Sequence, residues 1–248
     1  MNNYKKINEN KALGLKQLAV LIDPDKHNSA NLIQLIKSAY KCNVDYIFVG
    51  GSLLTNNKID ECISIIKEYS DIPVILFPGS PLQINYNADS ILFLSLISGR
   101  NPDMLIGNHV LTAPLLKNSK LEVISTGYIL IESGKATAVQ YISNTMPIPH
   151  DKNDIALSTA IAGEMLGLKL IFMDAGSGAL KPISSEMISM VSKNISIPLI
   201  IGGGIKTLES AELAWNSGAD IIVIGNVFEE NDKILPSFTT LLNKINKK

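Results

Sequence analysis

The sequence is poor in the residues that mark several large classes of protein. Its 248 residues include two cysteines, Cys42 and Cys62, whose spacing matches no metal site or redox motif. Charged residues make up 18% of the chain and the net charge is -1, so there is no basic footprint for nucleic acid and no broad attraction to an anionic membrane. Both cysteines are therefore expected to be buried thiols of a cytoplasmic protein.

Long apolar runs are also missing. No stretch reaches the roughly 18 uninterrupted apolar residues that a membrane-spanning helix needs, and residues 1–16 are too polar for a signal peptide. Any contact with a membrane is expected to be a loose one at its surface. Hydrophobic residues nevertheless form 46% of the chain, which indicates a large core, and 248 residues suit one (β/α)8 barrel domain over 1–248.

Short apolar segments alternate with segments of helical spacing along the chain. The apolar segments are rich in Val, Ile and Leu, which is typical of parallel strands covered by helices. Strands are predicted at 18–22, 45–49, 73–77, 90–97, 121–131, 169–173, 199–201 and 219–224. Helices are predicted at 31–40, 59–69, 102–116, 153–166, 184–191, 207–217 and within 236–248. Residues 135–143 alternate enough to predict a hairpin partner for the fifth strand.

The connection between the third and fourth strands is irregular. Residues 78–89 are rich in Pro, Gly and Asn, too short and too broken for the usual crossover helix. A barrel without its third helix would expose an apolar groove on that side, near Phe77, Phe93 and Leu94. A short helix in this segment, with those three side chains as ordinary core, is the alternative.

Glycines follow the last two predicted strands. Gly202, Gly203 and Gly204 end the seventh, and Gly225 with Asn226 ends the eighth. Glycines here admit a ligand close to the backbone, and free N–H groups near a helix N-terminus favour an anion, most often phosphate. The position matches the phosphate site of many (β/α)8 barrels. The alternative is that these glycines only form tight turns.

Oxygen-bearing side chains follow three other strands. Asp23 and Ser52 carry ligands suited to Mg²⁺, although each could instead cap the next helix. Asp174 comes before the turn Gly176-Ser177-Gly178, where a carboxylate could bind hydroxyl groups or take a proton. In a barrel enzyme these positions share the catalytic face.

Basic residues flank several strand ends and could meet a diphosphate. They are Arg100, His150, Lys152 and Lys181. Taken singly, each is better explained as a solvated surface residue. His109, within the predicted helix after the fourth strand, is expected to be structural.

Taken together, these motifs resemble those of the geranylgeranylglyceryl phosphate synthases, which include the bacterial PcrB proteins. The similar segments are 173–178, 202–205 and 225–226, with 21–26 and 50–52 at the N-terminal end. Residues 141–145 and 147–149 resemble the second of the two groups of this family. The resemblance covers nearly the whole chain, and it implies the modified barrel that lacks the third helix.

The resemblance implies a Mg²⁺-dependent prenyltransferase. It would join a polyprenyl diphosphate, usually geranylgeranyl diphosphate, to the 3-hydroxyl of sn-glycerol 1-phosphate and release pyrophosphate, forming an ether-lipid precursor. Asp23 and Ser52 would hold Mg²⁺, and Asp174 would be the catalytic base. The glycerol phosphate would be bound by Phe172, Met173, Asp174, Ala175, Gly176, Ser177, Gly178, Gly203, Gly204, Gly225 and Asn226. Family members form dimers or hexamers, so a homo-oligomer is expected.

The sequence departs from the family pattern before the first glycine turn. The usual Tyr-Leu-Glu is Phe172-Met173-Asp174, which removes a phenol and shortens the carboxylate side chain by about 1.5 Å, one C–C bond. Activity is predicted to persist, at a reduced rate or with an altered acceptor. Two alternatives stay open: another phosphate-binding barrel enzyme, such as a sugar-phosphate isomerase or thiamine phosphate synthase, and a non-catalytic binder of glycerol phosphate.

Overall fold

Eight parallel strands close into a barrel in chain order, which confirms the predicted fold class. The computed structural model describes residues 2–56 and 58–247, so Met1, Asn57 and Lys248 of the predicted domain 1–248 lie outside the described residues. The strands are Gln17–Ile22 (β1), Tyr46–Val49 (β2), Val74–Leu76 (β3), Ser90–Leu96 (β4), Glu122–Leu130 (β5), Leu170–Asp174 (β6), Leu199–Gly202 (β7) and Ile221–Ile224 (β8). β8 pairs with β1 and closes the ring.

Side chains on each strand alternate between two apolar layers. Tyr46, Phe48 and Phe172 belong to the cluster that fills the barrel, whereas Ile47, Val49 and similar neighbours pack against the helices. Because the side-chain period of a strand is two, both faces must be apolar when one meets the lumen and the other a helix. This double burial is the reason that the strands appear in the sequence as nearly continuous apolar runs.

The helices surround the strands much as predicted. They are Asn3–Ala12 (α1), Ser29–Lys41 (α2), Ile59–Tyr69 (α3), Asn108–Lys117 (α4), Ala138–Ser143 (α5), Asn153–Met165 (α6), Ser185–Ser192 (α7), Leu208–Asn216 (α8), Asn226–Glu230 (α9) and Leu235–Ile245 (α10). A π-helical segment, Asp103–Gly107, precedes α4. The predicted hairpin at 135–143 is wrong, because β5 is paired with β4 and β6 on its two edges and the segment instead forms α5.

Helix α1, which the sequence did not predict, covers the N-terminal end of the barrel. Its Asn3 donates from its backbone N–H to Glu122 (2.6 Å) and from Nδ2 to Ser90 (2.6 Å), at the starts of β5 and β4. Ile7 packs into the cluster inside the barrel. These contacts close the barrel at this end, so its open face is the C-terminal one.

The third crossover is reduced, as predicted. Between β3 and β4, where every residue is described, the chain forms one 3₁₀ turn, Pro81–Gln83. Gln83 ties this turn to the loop after β2: its Oε1 accepts the N–H groups of Gly51 (3.3 Å) and Gly79 (3.1 Å), and its Nε2 donates to Gly51 O (2.8 Å). The space that a crossover helix would fill is left to a groove along β4.

The two cysteines differ in burial, and the described helices are not of the membrane-spanning kind. Cys62 is buried in α3, and burial, with the charges of Asp23 and Glu229 nearby, raises the pKa of its thiol to about 12. Cys42 is only partly buried at the end of α2, so the expectation of two buried thiols is confirmed for Cys62 alone. Among residues 2–56 and 58–247, no helix has the length and apolar character needed to cross a bilayer.

Candidate active site

One cavity of about 400 Å³ opens at the C-terminal ends of the strands and has two parts. Its polar part lies at the barrel mouth, where β1, β2, β6, β7 and β8 end. Its apolar part extends over β4 to the helix that follows. Among the residues singled out from the sequence, the lining includes Asp23, Ser52, Phe172, Asp174, Gly176, Ser177, Gly178, Gly203, Gly204, Gly225 and Asn226.

Asp174, the last residue of β6, presents a buried carboxylate to the cavity. The Tyr128 hydroxyl donates to its Oδ2 at 2.5 Å, and the Gly176 N–H donates to its Oδ1 at 2.8 Å. Burial raises the pKa of Asp174, and these two donors oppose that rise because they stabilise the ionised form. The result is an oriented carboxyl group whose conformation is fixed at both oxygens.

Tyr128 supplies a phenol that residue 172 lacks. It faces the barrel interior on β5, directly opposite Phe172 in the register of β5 and β6. The Phe172 ring stacks on Phe77 with centroids 5.0 Å apart and meets Tyr128 edge-on at 5.6 Å. Sequence reasoning missed Tyr128, because its place in the fifth predicted strand does not show that it faces Asp174.

Two residues of the predicted substrate set face the other way. Met173 and Ala175 are buried in the apolar layer between the barrel and its helices. Strand alternation turns them outward because Phe172 and Asp174 turn inward. Both were predicted to bind the glycerol phosphate, and the structure turns their side chains away from the cavity; the Ala175 N–H donates to Gly202 O at 3.1 Å.

The glycine turn after β7 packs directly onto the Asp174 loop. Gly203 has φ +75°, and a Cβ there would lie 2.6 Å from both Asp174 Oδ1 and Gly176 N. Glycine is thus required both by the backbone and by the close approach. The next helix, α8, begins with a capping box in which the Thr207 side chain accepts the Ser210 N–H and the Ser210 side chain accepts the Thr207 N–H.

Asp23 and Ser52 lie at the ends of neighbouring strands and cap no helix. The N-cap of α2 is Asn28 and that of α3 is Lys58, so the capping alternatives are wrong. Asp23 Oδ1 accepts the Asp25 N–H at 3.0 Å. Its Oδ2 lies 3.4 Å from where a Cβ on Gly51, the residue before Ser52, would stand. Burial raises the pKa of Asp23, a cost that a bound cation would offset.

Asp23 and Ser52 fit a Mg²⁺ site in which the protein supplies few of the ligands. A single carboxylate and a hydroxyl leave most of the octahedral positions to water and to phosphate oxygens, which is how Mg²⁺ usually binds near phosphorylated substrates. Among residues 2–56 and 58–247, no three or more His, Cys, Asp or Glu side chains lie together so that they could hold a metal ion.

Glu229 on α9 is a buried carboxylate that the sequence analysis did not single out. Its Oε1 accepts the backbone N–H of Asp23 (2.9 Å) and lies 3.0 Å from His27 Nε2, and its Oε2 accepts Lys26 Nζ at 2.8 Å. Burial would raise the pKa of Glu229, but the hydrogen bonds from His27, Lys26 and Asp23 outweigh it and lower that pKa.

The basic residues that line the cavity are not the four candidates near the strand ends, for which a surface position was the favoured interpretation. Arg100 donates to its neighbour's carbonyl at Gly99 (2.7 Å). The cations that line the cavity are Lys26 and Lys206, whose Nζ donates to Ala179 O at 2.8 Å. The predicted set, which lies outside the lining, is Arg100, His150, Lys152 and Lys181. Position in the sequence near a strand end did not distinguish the loops that turn inward from those that turn away.

The apolar part of the cavity follows one face of a helix. Met104, Asn108, His109, Thr112 and Leu116 line it, at the spacing of a continuous helical stripe. Ile91 and Phe93, on the helix-facing side of β4, form the opposite wall. His109, predicted to be structural, packs edge-on against the Phe93 ring at 4.4 Å with Nε2 3.1 Å from Ser95 Oγ.

The fold and the cavity define the class: a (β/α)8 barrel with glycine turns after β7 and β8 and an apolar groove in place of one helix. The sequence profile of the PcrB family matches residues 10–242. The chain therefore belongs to the PcrB family, as its motifs indicated, and the prediction that it is an enzyme is confirmed.

Individual relatives agree with this assignment. Geranylgeranylglyceryl phosphate synthase of Chitinophaga pinensis is 56% identical over 94% of this chain and 92% of its own length. The protein of the same name from Spirosoma linguale is 52% identical over 96% of this chain and 95% of its own length. A crystal structure of (S)-3-O-geranylgeranylglyceryl phosphate synthase from Thermoplasma acidophilum, in complex with substrate sn-glycerol-1-phosphate, superimposes with a TM-score of 0.93 at 31% identity, covering 100% of both chains.

Proposed function

We propose that this protein is a Mg²⁺-dependent prenyltransferase that joins a polyprenyl diphosphate to the 3-hydroxyl of sn-glycerol 1-phosphate. The donor is proposed to be geranylgeranyl diphosphate. The names of its relatives and the substrate in the Thermoplasma acidophilum complex support the acceptor and the reaction class. A cytoplasmic location and a homo-oligomer, dimer or hexamer, stay predictions.

The observation that carries the proposal is the continuity of the cavity. Its polar mouth offers backbone N–H groups at Gly203 and Gly225 for a phosphate, and its apolar groove over β4 suits an isoprenoid chain. A phosphate-binding barrel for a small sugar has no need of that groove. The reacting ends of both substrates would meet at the junction, beside Asp174.

The chain's own residues would orient and deprotonate the acceptor. The oxygen of the 3-hydroxyl forms a bond to carbon 1 of the prenyl group, the bond from that carbon to the diphosphate oxygen breaks, and pyrophosphate departs with the electron pair. Asp174 takes the hydroxyl proton, and Tyr128 and Gly176 hold its carboxylate in place. Ser177 and Asn226, 3.1 Å apart, would fix the glycerol phosphate from the side.

Asp23 and Ser52 would hold the magnesium ion. When bound, Mg²⁺ would neutralise the charge that develops on the leaving diphosphate. Lys26, which lines the cavity beside Asp23, adds positive charge to the same region.

A transfer assay tests the proposal. Purified protein receives Mg²⁺, labelled sn-glycerol 1-phosphate and, separately, C15, C20 and C35 prenyl diphosphates, and label is counted in the organic phase. Transfer from one donor that is abolished by EDTA or by Asp23→Asn supports the proposal. Asp151→Asn, at an exposed carboxylate away from the cavity, is the matched control and should retain activity.

An absence of transfer would distinguish between the two candidate functions. If no donor gives transfer while calorimetry shows glycerol phosphate binding, the prenyltransferase is refuted and the non-catalytic binder is supported.

A further inference from the structure

Glu229 joins two segments of the polar part of the cavity, the loop after β1 and the helix after β8. Only 5% of its side chain is exposed, yet it lies on a five-residue helix, α9, that follows the phosphate-side strand β8. Its carboxylate contacts the loop after β1, which carries Asp23. The two chain segments are 206 residues apart in sequence and adjacent only because the barrel closes.

The contacts form a chain across the cavity. Glu229 accepts the Asp23 N–H at 2.9 Å and Lys26 Nζ at 2.8 Å. The same Nζ donates to Asn226 Oδ1 at 3.0 Å, and Asn226 Oδ1 also accepts the Ser177 hydroxyl at 3.1 Å. A lysine with 42% of its side chain exposed would otherwise sample many rotamers, and Glu229 and Asn226 together restrict it.

We propose that Glu229 is a positioning residue that holds Asp23 and Lys26 toward the cavity and ties them to the glycerol-phosphate side. The inference rests on the proposed function, because it assigns Asp23 to the diphosphate end and Asn226 to the glycerol phosphate end. Glu229 acts through these neighbours. Both oxygens of its carboxylate accept hydrogen bonds from donors of the chain, so its orientation is fixed before any substrate binds.

Charge and size both matter for this role. Glu229→Gln keeps the shape, but its amide nitrogen cannot accept a hydrogen bond from Lys26, so that ammonium loses its anionic partner. Outer partners of a metal or phosphate site typically contribute about 10- to 100-fold in affinity or activity. Glu230→Gln makes the same chemical change at the adjacent, exposed position and is the matched control.

The test measures binding separately from turnover. Calorimetry follows magnesium pyrophosphate and, in separate runs, sn-glycerol 1-phosphate binding to wild type, Glu229→Gln and Glu230→Gln, with a thermal melt of each. Glu229→Gln should weaken pyrophosphate binding by about tenfold or more, and should raise the KM for the prenyl diphosphate by more than it lowers kcat. A lower melting temperature with unchanged affinities and an unchanged KM would show a purely structural role and overturn the inference.

A second variant keeps the test decisive if Glu229→Gln does not fold. Lys26→Met alters a side chain that is 42% exposed, so it should fold, and it should reproduce the loss of pyrophosphate affinity. When both variants fold, the double variant should lose less affinity than the product of the two single losses, since Glu229 acts in part through Lys26. Full affinity in Lys26→Met would contradict the inference. Absence of transfer in wild type would instead contradict the proposed function.

Discussion

The hydrogen bond between Tyr128 and Asp174 gives the sharpest test of the catalytic assignment. Tyr128→Phe removes only the hydroxyl that donates to Oδ2 at 2.5 Å and leaves the ring against Phe172. A hydrogen bond to a charged group contributes about 1.5–3 kcal/mol, which corresponds to a fall in kcat/KM of about tenfold to a hundredfold. Because the phenol opposes the rise in the pKa of Asp174, its loss should move the acidic limb of kcat/KM to higher pH.

The assay is prenyl transfer followed from pH 5 to pH 9, and Tyr46→Phe is its control. The Tyr46 hydroxyl is also buried inside the barrel, but it lies at the N-terminal end, away from the cavity. There it donates to Gln17 Oε1 at 2.8 Å. Both variants lose one buried hydrogen bond, so both should lose stability, but only Tyr128→Phe should lose activity and shift the profile. An unshifted acidic limb, with activity equal to that of Tyr46→Phe, would refute Asp174 as a base held by Tyr128.

Three further variants test other parts of the cavity. Asp174→Asn should abolish transfer yet raise the melting temperature at pH 8. Burial raises the pKa of Asp174 in the folded protein, so the wild type loses stability as the pH rises from the unfolded pKa to the folded pKa, and the neutral Asn avoids this loss. Scanning calorimetry should show that the stability gain of the variant vanishes below about pH 4. Gly203→Ala should weaken sn-glycerol 1-phosphate binding in calorimetry, because its Cβ would displace the Asp174 loop; Gly167→Ala, at a similar φ of +83° with nothing within 4 Å, should cost about 1 kcal/mol of stability and leave binding intact. Thr112→Trp should fill the groove and shift the preferred donor toward C15 in product analysis, while Val110→Trp, on the exposed face of the same helix, should not; equal preference in the two variants would place the isoprenoid chain elsewhere.

Much of the fold could be predicted because the signals are local. Uninterrupted apolar strands, their helical connections and the broken crossover at 78–89 all appear in short windows of sequence. The hairpin predicted at 135–143 failed because alternation alone cannot tell whether a strand edge is free, and both edges of β5 are taken. Helix α1 was missed because it buries little apolar surface and is held mainly by polar contacts at the barrel's closed end.

The site residues likewise divide into those with a local sequence signal and those without one. Position at a strand end was enough to predict Asp23, Ser52, Asp174 and the glycine turns. Tyr128 and Glu229 are functional only through side chains that they contact across the barrel. Tyr128 reaches Asp174 because the register of β5 and β6 sets it opposite Phe172, and no local pattern encodes that register. The inward position of Lys26 and Lys206 could not be predicted for a similar reason, since a loop's direction depends on its packing.

Closure of the barrel therefore determines the geometry of the site as well as the fold. The register of β1 against β8 pairs Val20 with Ile224, and each strand then continues past its last pair into a loop that carries polar groups. On the β1 side that loop brings Asp23 and Lys26, and on the β8 side helix α9 brings Asn226 and Glu229. A shift of one residue in this register would turn the inward side chains outward, so the ion pair between the β1 loop and α9 depends on the same pairing that fills the barrel with apolar side chains. The apolar core and the arrangement of charge at the cavity are for this reason one structural feature, set where the first and last strands meet.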